Sequence, residues 1–179
     1  MNPTKKQFAP RLLASLLSLA IMAPMAPSYV FAQSASSQNQ APLSQQQLSA
    51  LVAPIALYPD PVISQILMAS TYPLEVAEAA TWQRQNSSLT GSSLDSALQS
   101  QTWDPSVKSL VSVPQALQMM GKDLSWTQKL GDAVLAQQSD VMAAIQSMRA
   151  KAKQAGNLST TPQQTVSTSG QTIVIQPAN

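Results

Sequence analysis

Hydrophobic positions along the chain fall into three regimes. Between Leu12 and Met25 they run almost unbroken (LLASLLSLAIMAPM) behind a polar, basic start. From Leu48 to Met148 they recur three and four residues apart, the spacing of helices with one buried face. Beyond Gly156 they nearly vanish until Ile173-Val174-Ile175.

The first regime predicts an export signal. Lys5, Lys6 and Arg11 precede an apolar run too short to span a bilayer comfortably. Pro24 and Pro27 break any helix that follows, and Val30-Phe31-Ala32 has the small-residue character of a peptidase site. Cleavage is expected after Ala32, with an uncleaved anchor as the alternative. Once cleaved, the protein keeps no stable transmembrane anchor, and its expected location is periplasmic or secreted. Residues 33–42 (QSASSQNQAP) have no periodicity and read as a flexible leader.

Residues 43–156 predict a helical domain of short helices. Ser44 is placed to cap a first helix carrying Leu48, Leu51, Val52 and Ile55, running to about Leu57 and bent near Pro54. Asp60 is placed as the next N-cap, with Pro61 as first helical residue. Ile63, Ile66 and Leu67 form its buried stripe. Pro73 starts a third helix, read with Leu74, Ala77 and Trp82 inward, and Asn86 to Thr90 is a polar break. A short helix follows near Ser93–Ser100. Trp103-Asp104-Pro105 repeats the cap-and-proline punctuation, and Pro114 starts a helix stopped at Gly121. Asp123 caps the longest helix, which Gly131-Asp132 either kinks or restarts and which ends near Ala155. Leu130, Val134, Val141, Ile145 and Met148 form its stripe, and Arg149, Lys151 and Lys153 suit its C-terminal dipole. Gln138 is read at the edge of that stripe, or as a helix contact with a partner. The likeness of the Tyr58–Pro73 and Trp103–Pro114 stretches is either an internal duplication or convergence on an inexpensive helix start, and convergence is favoured because the spacings differ.

The Ser/Thr/Gln-rich tail, 157–179, is expected to be disordered up to Gln171. Thr172–Ile175 has strong β-propensity but cannot stand alone, so it either docks on the body or awaits a partner strand. The fold class expected is therefore all-α: a small bundle of short helices packed at varied angles, with a disordered leader and an extended tail.

Composition narrows the chemistry. The formal charge of +2 comes from the first eleven residues, and without their three cations the rest stands at −1. Charge-driven binding of nucleic acid is therefore not expected. The chain has no Cys and no His, so disulfides, thiolate nucleophiles, Ser–His pairs and imidazole or thiolate metal sites are excluded. No cofactor and no metal site is expected. Scattered aspartates, including Asp132 and Asp140 two turns apart, would suit only weak hard-cation binding.

The remaining cluster of interest is Tyr58, Asp60, Tyr72, Glu75, Glu78 and Trp82. Glu75 and Glu78 share a helix face, with Trp82 one turn beyond. Two carboxylates beside an aromatic platform could cleave a glycosidic bond. The plainer reading is first-turn glutamates favoured by the helix dipole, and Asp60 and Asp104 as caps. The candidate binding residues are Tyr58, Asp60, Tyr72, Trp82, Trp103 and Asp104; Glu75 and Glu78 are the only catalytic candidates.

Two long strings carry a resemblance: Leu51-Val52-Ala53-Pro54-Ile55-Ala56-Leu57-Tyr58-Pro59-Asp60-Pro61 and Gln65-Ile66-Leu67-Met68-Ala69-Ser70-Thr71-Tyr72-Pro73-Leu74-Glu75. Trp103-Asp104-Pro105-Ser106-Val107-Lys108, Leu124-Ser125-Trp126-Thr127 and Leu130-Gly131-Asp132-Ala133 extend it, as do Gln137-Gln138 and Asp140-Val141-Met142. Over about residues 43–177 the chain resembles the exported bacterial family called domain of unknown function 3300. The resemblance implies export and a helical body, and it implies no established activity. It also makes the Tyr58–Pro61 and Trp103–Pro105 strings candidate functional positions, although fold specification explains them equally.

The function expected is a non-enzymatic interaction module of the envelope or the secreted fraction. Its partner would be an envelope protein, met in a groove of Tyr58, Tyr72, Trp82 and Trp103, or a cell-wall glycan. The alternative is a cell-wall glycan binder or hydrolase using Glu75 or Glu78 with Trp82.

Overall fold

A computed structural model describes residues 41–178; the expected signal peptide and most of the leader lie outside the described residues. Seven helices and one hairpin follow in order: α1 Gln45–Val52, α2 Asp60–Ala69, α3 Pro73–Gln85, α4 Gly91–Gln99, α5 Pro105–Leu110, α6 Pro114–Lys122, α7 Leu124–Gln154, β1 Gln164–Ser169 and β2 Thr172–Pro177. The architecture is mainly α, but the hairpin means that it is not purely so.

Ser44 starts α1 with a reciprocal capping box: its hydroxyl accepts from the Gln47 N–H, and the Gln47 side chain returns to the Ser44 N–H. Helical turns continue past Val52 through Ile55 and Ala56 to Tyr58, as the Pro54 reading anticipates. At α2 the structure departs from expectation. Pro59 is the N-cap and Asp60 the first helical residue, with no side-chain cap. The Asp60 carboxylate is instead drawn to a buried guanidinium, described below. Asp104 and Asp123 do cap α5 and α7, accepting from the Ser106 and Trp126 N–H groups.

The core gathers Leu48, Val52, Ile55, Ile66, Val76, Val107, Leu110, Leu117, Leu130 and Ile145, all essentially inaccessible. Helices α1 and α7 pack together, α2 lies on α5, and α3 lies on α6. The two proline-started pairs, α2–α3 and α5–α6, thus face one another.

Helix α3 buries Val76, Ala79 and Ala80. Leu74, read as inward, is 77% exposed. Small residues set the phase of this helix, because α6 approaches too closely for large ones. A Cβ on Gly121 would stand 2.5 Å from the Ala80 Cβ. Gly121 is therefore a contact point inside α6, which runs on to Lys122, and does not stop it.

Gly131 is likewise no break. It is buried within α7, and a Cβ there would overlap the Ser70 carbonyl at the end of α2. The kink falls at Gln137 (φ −150°, ψ 52°). There the Gln137 side-chain amide holds the incoming chain, accepting from the Leu43 N–H at 2.7 Å and donating to the Leu43 carbonyl at 3.0 Å. Gln138, the residue read at the stripe edge, is exposed.

The tail is folded: residues 164–169, expected to be disordered, form a strand, while Thr172–Ile175 docks on the body, one of its two expected fates. β1 and β2 pair antiparallel, from Ser169 opposite Thr172 out to Gln164 opposite Pro177. A two-residue turn joins them, and its first residue, Gly170, takes φ +60°, as the twist of a tight hairpin requires. Ile173, Ile175 and Leu158 form a small second core under the hairpin, with Val166 packed against it. The Gln146 side chain binds both main-chain groups of Ile173, at 2.8 and 3.2 Å, and so occupies that part of the β2 edge.

Candidate functional site

The candidate residues divide into two groups. Tyr58 and Asp60 belong to a buried clamp centred on Arg149. The sequence suits this arginine to the C-terminal helix dipole, yet it is 1% exposed. Its Nε donates to the Ala56 carbonyl at 2.8 Å, Nη2 to the Tyr58 carbonyl at 3.0 Å, and Nη1 to the Ile173 carbonyl at 2.8 Å. Nη1 also pairs with Asp60 Oδ1 at 2.5 Å. A planar fork with five N–H donors on three nitrogens reaches four separate acceptors here, one more than the three N–H groups of a lysine could serve. Tyr58 enters this clamp through its main chain, and Asp60 through charge. The clamp ties the turn after α1, the start of α2 and the hairpin to α7.

The other group gathers Tyr72, Glu75, Glu78, Trp82, Trp103 and Asp104. The first turns of α3 supply the glutamates, and the loop before α5 supplies Trp103 and Asp104. Glu75 Oε2 accepts from the Asp104 main-chain N–H at 2.6 Å, and Glu78 Oε2 accepts from Trp103 Nε1 at 3.1 Å. Each glutamate thus commits one oxygen to holding the 103–104 loop on α3. The Asp104 carboxyl is held below its ordinary value, chiefly by the Ser106 hydroxyl; burial opposes this, while the Ser106 N–H and the Tyr72 hydroxyl reinforce it. That is the electrostatics of a cap, in which hydrogen bonds to the ionised form favour it.

Trp103 is buried, and its ring meets Trp82 edge to face, with centroids 5.9 Å apart and planes at 79°. Trp103 therefore buttresses Trp82. The exposed side of the pair opens onto a groove of about 470 Å³ lined by Ala77, Glu78, Thr81, Trp82, Gln85 and Trp103. On the other flank of Trp82 lies a second cavity of about 340 Å³, walled by the loop after α3, the start of α4 and the α5–α6 junction. Trp82 is the wall common to both. This second cavity escaped sequence reasoning because its residues come from several separate elements and, Trp82 apart, none is chemically conspicuous. The signals on the chain were the polar break at Asn86–Thr90 and Gly91, which takes φ +54° at the cavity rim.

Asp132 and Asp140 line a third cavity, of about 300 Å³, with Lys129 beside the Gln137 kink. Trp126, the remaining tryptophan, donates its indole N–H to the Leu51 carbonyl at 2.9 Å and joins α7 to α1.

Comparison with known proteins adds kinship without an activity. An uncharacterised protein of Escherichia coli (strain K12), YacH, is 48% identical over 125 residues, 70% of this chain and 20% of that protein. The chain thus spans about one fifth of the length of the curated relative it matches. No solved structure matches. The model of the family described as "Protein of unknown function (DUF3300)" matches residues 44–179, the stretch that holds both tryptophan cavities and the arginine clamp, and the chain belongs to that family.

Proposed function

We propose that this is an exported, non-enzymatic interaction module that meets its partner at the Trp82 face. Export rests on the basic start, the short apolar run and the peptidase-like Val30–Ala32 site. Among the described residues no helix is long and apolar enough to cross a membrane. The carrying observation is at the face itself: a buttressed tryptophan stands between two open cavities, while the nearby glutamates each give an oxygen to fold-holding bonds. A rigid, partly exposed aromatic flanked by polar groups is the anatomy of a binding hot spot. A chain without His or Cys has few other groups to devote to turnover.

The test has two readouts in cells producing the tagged protein. N-terminal sequencing of the periplasmic and medium fractions is expected to start at Gln33; a chain found only in membranes and beginning at Met1 overturns export. A photocrosslinker placed at exposed Gln85 is expected to capture a specific partner; no capture above that of the same crosslinker at exposed Ser139 overturns the binding face.

A further inference from the structure

The two cavities flanking Trp82 are complementary to one kind of molecule. Among the described residues that line them, none is Lys or Arg, and Glu78 is the one ionisable side chain. An anionic ligand finds no counter-charge here. The polar lining is amide and hydroxyl, which suits a ligand of the same character.

The amides are already oriented. Asn86 donates its N–H to the Trp82 carbonyl at 2.9 Å, which leaves its own carbonyl oxygen as an acceptor. Gln83 accepts from Gln118 Nε2 at 2.8 Å, which leaves its NH2 as a donor. Both amides line one cavity, and each has one end held by a bond within the protein. Leu89, Leu94 and Pro114 supply apolar wall between them.

Trp82 completes the set. The other two indole N–H groups are committed, Trp103 to Glu78 and Trp126 to Leu51. Among the described residues, the Trp82 N–H has no protein acceptor, and no buried side-chain donor is left unsatisfied. It is therefore open to solvent at the groove. A ring face for C–H contact, a free indole donor, a fixed amide acceptor and donor, and a small apolar wall match a sugar bearing an acetamido group. On such a ligand the methyl would suit the apolar wall, and the acetamido N–H the Asn86 side-chain oxygen. Both cavities fall in the size range of small-ligand sites, about 300–1,000 Å³.

We infer that this face binds an uncharged chain of N-acetylated amino sugars, laid across Trp82 with successive units on its two sides. The inference rests on the binding-face reading above and names its ligand.

The probe is the β-1,4-linked hexamer of N-acetylglucosamine, titrated into the purified full chain by calorimetry and tryptophan fluorescence. Controls are the de-N-acetylated hexamer and the glucose hexamer. Saturable binding with a change in tryptophan emission is expected for the acetylated hexamer, with at least tenfold weaker binding of both controls. Trp82→Ala is expected to weaken binding about tenfold or more, the ordinary effect of removing a hot-spot tryptophan. Because Trp82 also packs on the core, Ser112→Tyr serves as a second variant; it blocks the second cavity from an exposed rim position. It is expected to abolish binding while leaving thermal unfolding unchanged.

No binding of the acetylated hexamer at millimolar concentration overturns the inference, as does binding that both variants leave intact. If the sugar fails while the Gln85 crosslinker captures an envelope protein, the glycan assignment falls and the binding face stands. If both fail, both fall.

Discussion

Arg149 offers the sharpest test of what holds this fold together. Replacing it with Met keeps the volume and removes the guanidinium. Three main-chain carbonyls, of Ala56, Tyr58 and Ile173, lose a charged donor, and Asp60 loses its partner. A hydrogen bond to a charged group contributes about 1.5–3 kcal/mol, and an orphaned buried acceptor costs about 1–3 kcal/mol. These do not add, since a freed carbonyl can recruit water. Losing the donor to three buried carbonyls, partly offset by water, comes to about 3–5 kcal/mol, and we expect Arg149→Met to fall in that range. Against a total stability of about 5–15 kcal/mol, that is a large share. Asp60→Asn should behave differently. Its side chain is 35% exposed, so solvent screens the Coulomb part and the loss should be about 0–1 kcal/mol. Urea unfolding followed by far-ultraviolet circular dichroism measures both. Amide exchange at Ile173 and Ile175 should accelerate in the Met variant before global unfolding, because the hairpin loses its buried tie to α7 and keeps only the Gln146 and Lys153 bonds. The reasoning fails if Arg149→Met loses less than about 1 kcal/mol, or if Asp60→Asn proves equally damaging. The second result would mean that charge, and not the three carbonyl bonds, carries the clamp.

Two further outcomes are expected. Gly131→Ala should destabilise by about 1–3 kcal/mol, despite alanine's better helix propensity, because its methyl would overlap the Ser70 carbonyl; thermal melting that matches the wild type would contradict that packing. The Asp104 carboxyl is depressed in the folded protein, so its stabilisation is full above the ordinary carboxylate value of 3.8 and is lost as pH falls through the lower folded value. Carboxyl carbon shifts followed by NMR should place Asp104 below 3.8, and Ser106→Ala should raise it, since that hydroxyl is the largest cause.

Much of the helical body is legible in the chain because its signals are local. Ser44 with Gln47, Asp104 with Pro105, and Asp123 fix helix starts through bonds that span only two or three residues. The family too is legible, since its strings are contiguous. Glu75, Glu78 and Trp82 could be placed on one face by helical period alone. Their bonds could not, because Asp104 and Trp103 arrive from the loop before α5.

What only the tertiary structure decided depends on distance along the chain. Arg149 looks like a solvated C-terminal cation until three segments converge on it. Gly121 and Gly131 look like helix breakers until Ala80 and Ser70 are found against them. The polar β1 strand carries one half-buried valine, too little to announce itself, and it is held by a turn, by pairing with β2 and by the small core beneath. Leu74 reads as inward and stands exposed, because hydrophobicity alone does not say which face a neighbouring helix will approach. Local bonds and periodicity are written in adjacent residues, whereas close approach, burial of charge and the shape of a cavity arise only when remote segments meet.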